Sequence, residues 1–531
     1  MKRLLWLGSL LFLFAVWTGC GDTFRPIIIP NPPAFPDPRA NHGVISINDN
    51  GSVPGSVMTI DVSGDSITSE ANLGLHPVHA VQQTATQVLA VNHSIAGQNA
   101  DSLTKISFVN GTSQISSTTT IGLPPDSAPT FVATTEASEA YVSLPDYVPD
   151  PVNHPGIAAV GVVNTSTTNA LDATILAGTH PDSLAETPDG KKLYIANKGG
   201  TDAPSVIGIN TLDLSPRNSA GPIVLGAVPL WVTARSDSQR VYVLEADGTL
   251  ATLDTTATGG PDSVIATQVV APGATLMLYD GNLERLYIPY GNQVAILSVA
   301  GDTPQPLNTI TLPPIPGVPS VPSVAVAVTA LPDGSRAYLA SSSAAPLNSL
   351  VDISAVAGDG TTATYTYSPD PVNGGHDLTP GIVITVAGTA AGFDGTYLIT
   401  AVSNGTFQAA NATKSGAAAV TGTGISSNNY FPQVTVITTS ANGVKVPAVQ
   451  VPGFAAYDAA CASTRFRYTM ASAGDSSRVY LASCDGGNVS IIQTSDDTYT
   501  LNLQALASER AIVPPFTQPP PQNPVFLIGG P

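Results

Sequence analysis

The stretch Pro188-Asp189-Gly190-Lys191-Lys192-Leu193-Tyr194-Ile195-Ala196-Asn197 decides the reading of this chain. Asp-Gly marks a tight turn, because both residues tolerate the left-handed backbone that such turns require. The following apolar run alternates with the period of a strand, so that Lys192 and Tyr194 project from one face. The pattern then recurs as Asp237/Arg240/Tyr242, Asn282/Arg285/Tyr287, Asp333/Arg336/Tyr338 and Asp475/Arg478/Tyr480. Looser copies surround Val88-Leu89 and Glu136 to Tyr141. The units recur every ~45 to 53 residues, which is the spacing of four-stranded propeller blades. The step from Tyr338 to Tyr480 is far longer and indicates an insertion.

Composition agrees with an all-β chain. Of 531 residues only 11% are charged and 43% are hydrophobic, with 48 Gly and 46 Pro, so strands separated by turns are expected rather than disorder. With 19 basic against 38 acidic residues the net charge is -19, which argues against a nucleic-acid partner.

In the clearest unit, Ser183 to Thr187 reads as strand one, Lys192 to Asn197 as strand two, Ser205 to Asn210 as strand three, and Ile223 to Leu225 as a variable fourth. The repeated Tyr is expected to pack between blades, with the basic stem covering it and pairing with the turn carboxylate. Tyr194-Ile195-Ala196-Asn197 resembles the Tyr-Val-Thr-Asn signature of YVTN-type β-propeller repeats, and Tyr141-Val142-Ser143, Tyr242-Val243-Leu244 and Tyr480-Leu481-Ala482 are weaker copies. The resemblance implies an all-β propeller of seven or eight four-stranded blades over residues 42–348 and 428–503. Residues 43–48, 57–62 and 66–69 read as strands two, three and four of an eighth blade. Its first strand is expected from Val525 to Ile528, because propellers commonly close their ring with strands from both termini. Without that docking, seven blades and an accessory sheet remain. Residues 349–427, with alternating strands and Gly turns around Phe393-Asp394-Gly395-Thr396-Tyr397, read as a small inserted β-module.

At the N-terminus, Met1-Lys2-Arg3 precedes an apolar run from Leu4 to Trp17 and then Thr18-Gly19-Cys20. This resembles a bacterial lipoprotein signal, which implies removal of residues 1–19 and lipidation of Cys20. An ordinary secretory peptide or an uncleaved anchor are the alternatives, and all three export the chain. Residues 20–41 are Pro-rich and read as a tether, and residues 504–531 as a second Pro-rich segment containing the closing strand at 524–529. The expected location is therefore the bacterial envelope, as an outer-membrane or cell-surface lipoprotein, with a periplasm-facing position as the alternative. An oxidising compartment allows Cys461 and Cys484 to pair.

No Gly-x-Ser-x-Gly, His-Glu-x-x-His, Walker or Cys-x-x-Cys motif is present, and no cofactor or metal site is expected. His76-Pro77 and His180-Pro181 precede first strands, and His79 falls just inside one. Trp231 and Arg235 occupy the corresponding part of another unit, and Arg465 and Arg467 lead into the last. With Glu186, these form a candidate ring for a small anionic or aromatic ligand. The competing reading is that they hydrogen-bond within their loops. Two functions follow: a monomeric, lipid-anchored scaffold binding an envelope protein or glycan, or a hydrolase of sugar-acid lactones like the lactonases among propellers of similar repeat. The acids here sit mostly in turns, which favours the scaffold.

Overall fold

A computed structural model describes residues 43–498 and 511–530, apart from 52, 95–99, 201, 315–322, 370–377, 379–381, 391, 411–413, 427–429, 451–458 and 463, together with 513–522. The signal-like segment, Cys20 and the Pro-rich tether lie outside the described residues.

Eight sheets, each an antiparallel meander, form an eight-bladed propeller. Blade 1 joins residues 43–72 to 523–530, and blades 2 to 6 span 77–122, 132–178, 181–224, 229–269 and 278–311. Blade 7 combines 323–343 with 433–450, and blade 8 spans 468–512. The C-terminal strand Asn523–Gly530 pairs with Gly43–Asn50, placing Ile45 opposite Ile528 and Ile47 opposite Phe526. The ring is thus closed by eight blades rather than seven. Closure removes the free edge that an open ring would expose.

The repeated Tyr residues 194, 242, 287, 338 and 480 are essentially inaccessible and lie in the apolar clusters between blades. The basic residue two positions earlier does not pair with its own turn carboxylate. Asp189 instead caps its own turn, accepting from the Lys191 N–H at 3.2 Å and the Thr187 hydroxyl at 2.6 Å. Lys192 reaches across to the next blade, donating to the carbonyls of Ser238 (2.7 Å) and Thr255 (2.9 Å). Arg285 reaches the Thr439 carbonyl at 2.8 Å in the same way. In two units the Tyr and the base converge on one acid of the next blade, whereas the acid that Tyr194 meets, Asp262, is paired with Arg217 rather than Lys192. Tyr194 donates to Asp262 (2.9 Å), Tyr338 to Asp497 (2.6 Å), and Tyr480 to Asp65 (3.3 Å). Arg336 joins Asp497, and Arg478 joins Asp65 at 3.2 Å, so the last brace links blade 8 to blade 1. The physical reason is reach: a turn carboxylate is already committed to backbone N–H groups two residues on, whereas a long side chain pointing out of the sheet meets the neighbouring blade.

Between strands two and three of blade 7 the chain forms a closed six-stranded barrel from Leu350 to Ser426. Its core contains Tyr365 and Phe407, stacked with centroids 4.7 Å apart, together with Ile384, Phe393 and Ile399. Ser323, at the start of strand one of blade 7, pairs with Ser343 at the end of strand two, and Ser341 pairs with Gln433 at the start of strand three. The barrel therefore springs from the face on which the first strands begin.

Candidate functional site

The first strands form the inner wall of the ring, and on the barrel face their beginnings are bridged by a circuit of rings. Phe526 of blade 1 lies 4.7 Å from His79 of blade 2, which stacks at 3.8 Å on Phe131, just before blade 3. Phe131 meets Trp231 of blade 5 edge-on at 5.5 Å, Trp231 meets Phe466 at 5.9 Å, and Phe466 returns to Phe526 at 5.9 Å. Such offset and edge-on contacts are the favourable aromatic geometries.

The Arg465 guanidinium lies 5.4 to 5.6 Å from the centroids of Phe131, Trp231 and Phe466. It does not stay with blade 8. Its Nη1 donates to Asp182 of blade 4 at 2.7 Å, and its Nη2 to the Leu230 carbonyl at 3.4 Å. Blades 8 and 4 face each other across an eight-bladed ring, so the segment leading into blade 8 is a strap across the mouth. Its root is fixed by a disulfide between Cys461 and Cys484, both buried. Asp182, 5% exposed, also pairs with Lys198 at 3.0 Å. Burial works against the Asp182 charge, but Arg465 and Lys198 outweigh it and hold its carboxyl below the usual range. His79 is pushed down to about 3 by burial and by the Arg465 charge, so it is neutral, and its Nδ1 accepts from the Val132 N–H at 3.4 Å.

Of the residues singled out in the sequence, His79, Trp231 and Arg465 meet in this cluster. His76 and His180 stand on the same face and share one backbone role. Each has a left-handed φ (41° and 52°), and each carbonyl accepts an N–H from the loop after strand two, from His93 and Lys198, at 3.0 Å. Their rings are held locally, His76 by Asp49 at 3.1 Å and His180 by the Gly199 carbonyl at 3.2 Å. Arg467 pairs with Asp485 and stacks on Tyr430 at 4.7 Å.

Glu186 and Arg235 do not join them. Both lie at the far end of the first strands, on the opposite face. Glu186 accepts from the Thr135 N–H, and burial, with Glu136 and Glu139 nearby, pushes its carboxyl up to about 7. Arg235 grips Asp237 at 2.6 and 2.9 Å and braces the Val299 and Gly301 carbonyls of blade 6. A strand rises about 3.3 Å per residue, so Asp182 and Glu186 on one strand stand roughly 13 Å apart. Both far-end positions were readable, since Glu186 precedes the Asp189 turn by three residues and Arg235 the Asp237 turn by two. Asp182, Phe131, Phe466 and Phe526 were missed, although Asp182 follows directly on His180-Pro181. Among the described residues, no three His, Cys, Asp or Glu side chains are grouped to hold a metal ion.

No family model matches the chain, and no curated protein matches it in sequence. Among solved structures, hydrazine synthase of Kuenenia stuttgartiensis is similar at 14% identity and TM-score 0.41, over 72% of this chain and 81% of that one. A periplasmic gluconolactonase of Pseudomonas aeruginosa is similar at 15% identity and TM-score 0.41, over 63% and 94%. A putative 6-phosphogluconolactonase of Bacteroides fragilis is similar at 16% identity and TM-score 0.40, over 56% and 87%. These likenesses concern the fold alone.

Proposed function

We propose that this chain is an envelope-tethered binding scaffold, which presents the barrel and the adjoining mouth of the propeller to a protein or glycan of the bacterial envelope. The observation that carries the reading is the placement of the barrel: a closed module of its own core projects from the same face as the strap and the aromatic mouth. Insertions on one face of a rigid scaffold are where recognition is commonly built.

The side chains at the mouth support binding over hydrolysis. Acid–base catalysis needs a donor and an acceptor converging on one reacting group. Here Asp182 is committed to two cations, His79 is buried among aromatic rings, and Glu186 lies at the other end of its strand. The test is co-sedimentation of the purified chain with isolated bacterial envelopes, beside a variant in which Ser343 is joined to Gln433 through a short Gly-Ser link. Saturable retention of the intact chain, lost with the barrel while the propeller still unfolds cooperatively, is the expected result. Equal retention of both proteins, or none of either, overturns the proposal.

A further inference from the structure

We propose that Tyr430 is the positioning residue of the recognition face: it clamps the barrel to the strap, so that barrel and mouth are presented as one rigid surface rather than as an arm swinging over a disc. The inference rests on the scaffold reading above and names the residue that sets the geometry of that face.

Two stems join the barrel to blade 7, residues 344–349 and 427–432, and of the second 430–432 are described. The first stem has exposed Ala344 and Ala345 and is not by itself a rigid mount. The second differs, because two consecutive residues are anchored in different modules. Phe431 is buried in the core of the barrel with Ile384, Phe393 and Phe407, whereas Tyr430 packs on the apolar seam between blades 7 and 8. No residue lies between the two anchors to absorb the backbone rotation that a hinge needs.

The ring of Tyr430 is gripped by the first strand of blade 8 and by the strap. It meets Tyr468 edge-on at 6.5 Å, and the Arg467 guanidinium lies 4.7 Å from its centroid. An arginine suits this place, because its flat cation stacks on an aromatic face while its charge is balanced by Asp485. The Tyr468 hydroxyl accepts from Ser342 at 3.3 Å, close to the root of the first stem, so both stems are referred to Tyr468. Just beyond the second stem, Gln433 donates to the carbonyls of Pro313 (2.8 Å) and Pro314 (3.3 Å) in the link from blade 6. Arg467 directly follows Phe466 of the aromatic circuit and stands two residues after Arg465, which crosses the mouth to Asp182. Through Tyr430 the barrel is therefore fixed to the same segment that spans the mouth. A surface ordered in advance loses less freedom when its partner binds.

The experiment compares residual dipolar couplings of isoleucine methyl groups in the full chain, for the barrel (Ile353, Ile384, Ile399) and the propeller (Ile45, Ile195, Ile288). Such couplings average over motions up to milliseconds, the range of module reorientation about a hinge. One alignment should fit both modules in the wild type and in Tyr430→Phe, which keeps the ring. In Tyr430→Ala the barrel couplings should shrink to less than half while those of the propeller keep their size. Arg467→Met, which removes the cation from the ring, should give a smaller loss of the same kind and replaces Tyr430→Ala if that variant shifts the methyl signals of the barrel core. In the co-sedimentation assay Tyr430→Ala should be retained more weakly than Tyr430→Phe. Separate alignments already in the wild type, one common alignment in Tyr430→Ala and Arg467→Met, or equal retention of the Ala and Phe variants would overturn the proposal. Failure of the intact chain to bind envelopes would remove the scaffold reading instead, and the couplings alone would then decide whether Tyr430 is the clamp.

Discussion

Replacing His79 by Phe should make the protein more resistant to acid, and the size of the effect follows from its position. His79 is 5% exposed between Phe131 and Phe526, and its conjugate acid is pushed down from 6.5 to about 3. The unfolded chain binds this proton at ordinary acidity, so between pH 6.5 and 3 it holds more protons than the folded chain. Stability is therefore present above pH 6.5 and is lost as pH falls. The slope approaches 1.4 kcal/mol per pH unit, giving about 2.7 kcal/mol by pH 4.5 and at most ~5 kcal/mol by pH 3. Phe keeps the stacking and does not titrate. Urea unfolding at half-unit steps from pH 7.5 to 4.5 should give nearly parallel curves above pH 6.5 and a widening gap below it, in favour of His79→Phe. A constant gap down to pH 4.5 would mean that His79 takes up its proton alike in the folded and the unfolded chain, and a neutral, buried His79 would be refuted.

Glu186 acts with the opposite sign. Its folded carboxyl is raised from 4.5 to about 7, so its contribution is present below pH 4.5 and is lost as pH rises to 7; Glu186→Gln should stabilise by up to about 3 kcal/mol at pH 8 and gain progressively less as pH falls to 4.5, read by urea unfolding. Asp497→Ala should cost about 3–5 kcal/mol, because it strands Arg336 and Tyr338 in the wall between blades, and thermal unfolding reports the loss. Replacing Cys461 and Cys484 together by Ser should cost roughly 2–4 kcal/mol in chemical unfolding and increase amide exchange in residues 464–467, the strap that the disulfide roots.

Much of the fold was legible because its repeats are local. The turn at Asp189-Gly190 and the strand carrying Tyr194 announce themselves within ten residues, and the over-long step after Tyr338 exposes the barrel. Even the closing strand could be inferred, since a ring lacking one inner strand leaves Val525 to Ile528 as the apolar segment able to supply it. The site was legible only in part, because it is made by contacts across the ring. Arg465 finds Asp182 from 283 residues away, and nothing in its neighbourhood marks a side chain that crosses to the opposite blade. The same holds for Phe466 and Phe526, which look like ordinary core residues until the ring brings them together. Glu186 and Arg235 fall outside the cluster for a different reason: similar position in a repeat does not give similar place in space, because a six-residue strand carries its two ends to opposite faces.

The claim that the mouth binds rather than reacts is tested most directly by following glucono-lactone opening in a pH-stat with the full chain. The expected rate equals that of buffer and is unchanged by Asp182→Asn. Multiple turnovers above buffer that disappear in Asp182→Asn, with the variant folded, would contradict it.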